Sequence, residues 1–228
     1  MRSSRFFDLL HVGVPPNLQS AMLVQYSVSR STAFYDFLKG FLDKTQRRGY
    51  NEFMDTQRVP RGGRAMFEAE VLICCFTGHR TIRAEHMRML PQVLDRVLEG
   101  LIGRNMTVFR TGGAIGFDTL AALKVLEKKE KYPQVRLELI LPCKDQTRGW
   151  NESNRRAYEY IRSRADSVVY LHEEYVAGCM LERNRKLVEG SHCCVGYCTT
   201  DKGGSAYTLR YAKQKGLRVI NVAPLICV

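Results

Sequence analysis

Thr111-Gly112-Gly113-Ala114-Ile115-Gly116-Phe117-Asp118 decides how this chain is read. The stretch follows a short apolar, β-branched run at 106–109 and precedes a segment of helical period. A glycine pair at such a strand-to-helix junction lets backbone approach a partner closely. The helix that follows leaves its first N–H groups free for an anion. A second junction repeats the pattern: Asp201-Lys202-Gly203-Gly204-Ser205-Ala206-Tyr207-Thr208 follows the apolar run 193–198. Two such loops in one domain point to a ligand with phosphate at one end and a polar sugar or base at the other.

Working outward from these loops, strand-like runs fall at 71–77, 106–111, 135–141, 167–171, 193–198 and 217–222. Helical periodicity fills the gaps at 117–130, 151–164, 178–188 and 205–214, with Gly216 placed to end the last. Met87, Leu90, Leu94, Val97, Leu98 and Leu101 mark another helix, which Pro91 either starts or bends. Six strands alternating with five helices predict βαβ units in an α/β domain, an open and mostly parallel sheet with helices on both faces. Ligands of such sheets bind beyond the carboxyl ends of the strands.

Residues 1–69 do not share this rhythm. Pro15-Pro16 and Arg58-Val59-Pro60-Arg61-Gly62-Gly63-Arg64 read as linkers. Between them Phe34, Phe37, Leu38, Phe41 and Leu42 form an apolar stripe on a short helix starting near Ser31 or Thr32, with Gly49 placed to end it. The division expected is therefore 1–69, a helical and irregular extension with a linker, and 70–228, the ligand-binding domain. The upstream segment also fits a gene-model extension, with Met66 as the start.

Composition narrows the class. At 45% hydrophobic residues the 228-residue chain can bury a sizeable core, and its apolar runs are too short and interrupted for a membrane span. The first residues make a poor secretion signal, so a cytoplasmic location is the expectation. Eight cysteines include the adjacent pairs Cys74-Cys75 and Cys193-Cys194 inside strand-like runs, where thiols act as small hydrophobes. Neighbours in a strand face opposite ways and zinc-like spacing is absent, so no metal site is read. No cofactor is read either. The net charge of +12 is spread along the chain, ten basic against five acidic residues in 1–65 and twenty-five against eighteen beyond. It fits a phosphate-bearing small molecule. Nucleic acid stays open as a partner but is not favoured, and a homo-oligomer stays open too.

The polar residues that could carry chemistry cluster at strand ends. Thr77-Gly78-His79-Arg80 closes the first strand, with His79 and Arg80 as donors to phosphate or ribose oxygens. Asp118 opens a helix, where a carboxylate can cap, accept from a ribose diol or act as a base. Gln146 and Trp150 follow the third strand, with base-edge bonding and stacking open to them. Arg183 and Asn184 lie on the helix before the fifth strand, where surface pairing and ligand contact both remain open. No phosphate-loop, dinucleotide, serine-hydrolase or zinc-protease motif occurs.

Taken in order, these motifs resemble the YpsA-like proteins of the SLOG superfamily, named for the LOG and DprA/SMF proteins. The resemblance runs from about Val71 to Val222. It is carried by Phe76-Thr77-Gly78-His79-Arg80, the loop 111–118, Leu141-Pro142 with Gln146 and Trp150, and Asp166. It continues through Tyr175, Gly178-Cys179-Met180-Leu181, Arg183-Asn184-Arg185, Gly203-Gly204-Ser205 and Tyr211-Ala212. The resemblance implies a Rossmann-like domain binding a nucleotide-derived, ADP-ribose-like ligand. Its pocket would be built from Gly78, Gly112, Gly113, Asp118, Arg183, Gly203, Gly204 and Ser205, the last keeping the hydroxyl of a threonine common in the family. Where relatives often have an acidic residue shortly before the fifth strand, this chain reads Glu189-Gly190-Ser191-His192. LOG enzymes, which release a base from a nucleoside monophosphate, carry a glutamate five residues after the second loop glycine; here that position is Leu209. Binding or sensing is thus the leading expectation. The alternatives are an N-glycosidase or phosphoribohydrolase-type enzyme with Asp118 as its carboxylate, and a DprA-like single-stranded DNA binder. Residues 66–228 are expected to be soluble and to unfold cooperatively on their own, because every sheet strand lies downstream of Met66. Insolubility on truncation would show instead that the Phe34, Phe37, Leu38 and Phe41 stripe covers core surface.

Overall fold

The computed structural model describes residues 71–226. The apolar helix and linkers read in residues 1–69 lie outside the described residues. From Leu72 onward strands and helices alternate: β1 (Leu72–Gly78), α1 (Ala84–Met87), α2 (Leu90–Ile102), β2 (Met106–Thr111), α3 (Phe117–Lys131) and β3 (Arg136–Cys143). They continue as α4 (Glu152–Arg164), β4 (Ser167–His172), α5 (Cys179–Val188), β5 (Cys193–Tyr197), α6 (Gly204–Gln214) and β6 (Arg218–Asn221), closed by a short 3-10 turn at Ala223–Leu225.

The six strands form one sheet in the order β4-β3-β2-β1-β5-β6, and every pairing is parallel. Parallel neighbours need crossovers, and right-handed crossovers put α2, α3 and α4 on one face and α5 and α6 on the other. The chain works outward from β1 through β2 and β3 to β4, then returns to β5 on the opposite side of β1. The carboxyl ends of β1 and β5 therefore flank the point where winding reverses, which is where such folds leave a crevice.

Both faces of the central strands are covered, so they read as continuous apolar runs. Along β1 and β5 the register sets Cys74 beside Cys193, Cys75 beside Cys194 and Phe76 beside Val195, all buried. On one face Phe76 stacks on Phe109 at 6.0 Å and meets the edge of Phe117 at 6.4 Å. On the other, Cys75, Ile140, Leu187, Val188, Cys194 and Ala212 pack together. Seven cysteines of the described residues are free and buried thiols. No described helix is long and apolar enough to cross a membrane.

Pro91 sits in the first turn of α2, so it starts that helix and does not bend it. Met87 belongs to the separate turn α1 and is 52% exposed, outside the core stripe that its spacing predicts. Strand β3 runs on to Cys143, two residues beyond the expected end, because the exit of β4 pairs alongside it, with Cys143 opposite His172.

Candidate functional site

The exits of β1, β2 and β5 meet at the reversal point, and His79 ties them together. Its N–H donates to the Tyr197 carbonyl at 3.1 Å, and its own carbonyl accepts the Phe117 N–H at 3.1 Å. Its ring Nε2 accepts the Thr199 N–H at 2.8 Å. That last bond requires a neutral imidazole, and burial, followed by the nearby Arg83 charge, lowers the pKa of His79 from its ordinary value. Thr77 is buried in β1 opposite Gly196, whereas Arg80 is exposed.

The bare faces of the first-loop glycines are filled by the protein itself. A Cβ on Gly78 would stand 2.5 Å from the Phe117 ring. A Cβ on Gly112 would overlap the Arg183 guanidinium, so that arginine reaches across the end of β2 only because residue 112 lacks a side chain. Gly113 has φ +62°, faces the Leu141 side chain, and its carbonyl accepts a 2.9 Å bond from Gln146 Nε2. Gln146 is thus placed as a brace on the loop. Trp150 meets Tyr158 edge-on at 5.8 Å.

Across Gly112, Arg183 Nη1 donates to Asp118 Oδ2 at 3.4 Å, an oxygen that also accepts the Ala114 N–H at 3.4 Å. Both side chains are more than nine-tenths buried. Burial pushes the Asp118 carboxyl up from its ordinary value, with Arg183 the chief opposing influence, and burial pulls the Arg183 guanidinium down. Arg183 Nε and the neighbouring Thr111 Oγ1 are buried without a hydrogen-bond partner among the described residues. Asp118 is therefore an internal counter-ion at the start of α3, shielded from solvent.

The second loop is the opposite case. Gly203 has φ +91° and open space where a Cβ would be. Gly204 faces Asn184 Nδ2, 3.6 Å from an added Cβ. Helix α6 begins here with no side-chain cap, so the N–H groups of Gly204, Ser205 and Ala206 point out of the helix end. Arg183 and Asn184, adjacent on α5, thus reach one loop each. The structure brings together the exit of β1, both glycine loops and α5, the elements that hold all the sequence-read residues except Gln146, which braces the first loop from outside them.

Next to the second loop lies a 630 Å³ cleft toward β6, whose lining includes Arg83, His86, Thr199, Thr200, Asp201, Ala206, Leu209, Arg210 and Asn221. None of the thirteen sequence-read site residues lines it. Its floor is pinned by Asn221, which accepts from Cys198 N at 3.1 Å and donates to Cys198 O at 2.8 Å. Thr199 to Asp201 share a strand exit with Gly203, the one signal in the sequence that places them here. Arg83 and His86 arrive from the other side of the crevice, in the segment after β1.

The profile of the YpsA family, described as the YspA SLOG family, matches residues 74–222. This chain belongs to that SLOG family. The SLOG domain is 28% identical over 141 residues to the uncharacterized SPbeta prophage-derived protein YoqJ of Bacillus subtilis (strain 168), covering 56% of this chain and 82% of that one. It is 29% identical over 130 residues to a UPF0398 protein of Bacillus thuringiensis (strain Al Hakam), covering 56% and 71%. Among solved structures it is similar to DNA processing protein A of Helicobacter pylori, described for its single-stranded DNA binding mode. That match has a TM-score of 0.49 at 20% identity, over 65% of this chain and 63% of that one. DNA processing protein A of Streptococcus pneumoniae also gives 0.49, at 19% identity over 65% and 49%. The chain spans less than two thirds of either DNA-processing protein.

In this SLOG domain Leu209, at the position of the LOG glutamate, packs under β5: a Cβ on Gly196 would lie 2.6 Å from its Cδ2.

Two outcomes are expected. Asp118→Ala lowers stability in urea unfolding by about 3 kcal/mol, because it strands a buried guanidinium, whereas Asp118→Leu combined with Arg183→Met costs less than the single change. For His79 the folded pKa lies below the unfolded value of 6.5, so the unfolded chain binds the proton first. Its contribution is full above about pH 6.5 and falls away as pH drops below it. Protection of the Thr199 amide from hydrogen exchange, corrected for the intrinsic rate, falls over that window, and His79→Gln removes the dependence.

Proposed function

We propose that the domain binds, and by binding senses, a nucleotide-derived ligand of the ADP-ribose-like class, with a phosphate on the second glycine loop. The observation that carries this reading is the open, uncapped start of α6 at the sheet's reversal point. Gly203 and Gly204 leave the backbone uncovered there, and three N–H groups face outward. A helix N-terminus with bare backbone favours a phosphate oxygen through both hydrogen bonds and the helix dipole. Asn184 from α5 and the Ser205 hydroxyl stand beside it as further donors, and Lys202, next to Gly203 in the loop, adds exposed positive charge. The first loop, with Gly112, Gly113, Asp118 and Arg183, acts as the rigid wall against which the second is held.

The same geometry favours binding over bond cleavage. Glycosidic cleavage needs a carboxylate near the anomeric carbon and an activated water. Asp118 is sealed behind Gly112 by Arg183, and Leu209 is apolar.

Gly204 is the position that tests the reading. Bulky residues at Gly113 or Gly203 would strain a left-handed backbone, but Gly204 has ordinary φ and room beside it. Gly204→Val is expected to keep the thermal unfolding midpoint within a few degrees. It should weaken AMP binding at least tenfold in isothermal titration, because its methyl groups cover the phosphate-facing N–H groups. Unchanged AMP affinity in a folded variant would overturn the assignment.

A further inference from the structure

The cleft beside the second loop contains a set of groups that the phosphate site leaves unused. Arg83 enters it from the segment after β1 and Arg210 from α6, and both are exposed. Arg210 Nη1 donates to the Asp201 carbonyl at 2.7 Å, which holds the guanidinium against the loop, while the remaining N–H groups of the fork stay available. Arg83 makes no side-chain hydrogen bond or salt bridge among the described residues, and its backbone N–H is fixed by a 3.2 Å bond to the Tyr197 hydroxyl.

That hydroxyl also fixes His86. Tyr197 Oη lies 2.9 Å from His86 Nδ1. The one oxygen thus holds both the Arg83 backbone and the His86 ring, which fixes the edge of the imidazole that faces the cleft. The His86 side chain is over nine-tenths buried and lines the cleft, and Nε2 has no hydrogen-bond partner among the described residues. A buried imidazole oriented by a tyrosine, with its Nε2 edge toward the cleft, is a positioned group. Two exposed guanidinium groups beside that imidazole in one concavity favour an anion. Ala206 belongs to the first turn of α6 and is also a wall of this cleft, so the second anion-binding point adjoins the first.

We infer that the cleft of Arg83, His86 and Arg210 receives a second phosphoryl group, so that the two phosphates of an ADP-ribose-like ligand have separate seats, one at the start of α6 and one in the cleft. The inference rests on the reading of α6 as the first phosphate site. Adjacent anion sites, one made of backbone N–H groups and one of guanidinium groups, match the two linked phosphates of a diphosphate. Leu209, Ala223 and Pro224 line the same cleft and give the group beyond the second phosphate an apolar surface.

The test uses the full chain with ADP and AMP as probes in isothermal titration. ADP is expected to bind at least tenfold tighter than AMP. The double substitution Arg83→Ser with Arg210→Ser, both at exposed positions, should bring the ratio of ADP to AMP affinity down to about one. His86→Phe should erase part of the ADP advantage and leave AMP unchanged. Equal affinities in the parent protein, or an ADP advantage that survives the double substitution, would overturn the second site and leave the first standing. Absence of binding by either nucleotide would overturn both.

Discussion

The missing side chain at residue 112 is the constraint on which the rest of the carboxyl edge depends. Through that gap Arg183 crosses from the α5 face of the sheet, over the end of β2, to Asp118 at the start of α3. The pair bridges the two helical layers at the point where the sheet alone would leave them independent. A buried ion pair of this kind is a weak source of net stability, since desolvation opposes its attraction. Its physical effect is positional. Once the guanidinium is seated, α5 has one rotation and one height, and Asn184, the next residue, is delivered to Gly204 and the start of α6. A single backbone gap in one loop thereby fixes the geometry of the other.

This explains why two loops that look alike in sequence do different things. The glycines at 78, 112 and 113 give up their side-chain space to Phe117, Arg183 and Leu141, all protein atoms. The glycines at 203 and 204 give theirs to solvent and to the tip of Asn184. A glycine pair reports that something approaches the backbone closely. It does not report whether that something is a ligand or another part of the chain. The distinction depends on residues far off in the sequence, such as Arg183 against Gly112, and no local pattern carries it.

The alternation of strands and helices was legible because a parallel sheet buried on both faces forces apolar runs of strand length between segments of helical period. Gly216 at the end of α6 was legible from its one dihedral, whereas Pro91 left a start and a bend equally open, and only the first turn of α2 decides for the start. Arg183 and Asn184 stood out in sequence only as polar residues on a helix preceding a strand, with ordinary surface pairing an equal reading. Asp118 was legible as a helix-start carboxylate but not as a buried one, since its burial comes from α5. Arg83, His86 and Asn221 were illegible: their common cleft exists only because β6 returns beside β5 and α1 folds over Tyr197.

The electrostatics follow from the same division of labour. Helices α3, α5 and α6 all start at the carboxyl edge without a side-chain cap, whereas α4 is capped by Asn151. Uncapped starts concentrate partial positive charge on one edge of the sheet. At α3 that charge meets Asp118, whose carboxylate is also matched by Arg183, so the inner wall is close to neutral. At α6 no carboxylate caps the helix, and Arg80, Arg83, Lys202 and Arg210 are all exposed at the surrounding strand exits and helix surface. Low-dielectric walls then focus the field into the open side of the crevice. The +12 excess is spread almost evenly along the sequence, so the grouping of these four exposed cations at strand exits and on α6 is a product of the fold and not of the sequence order.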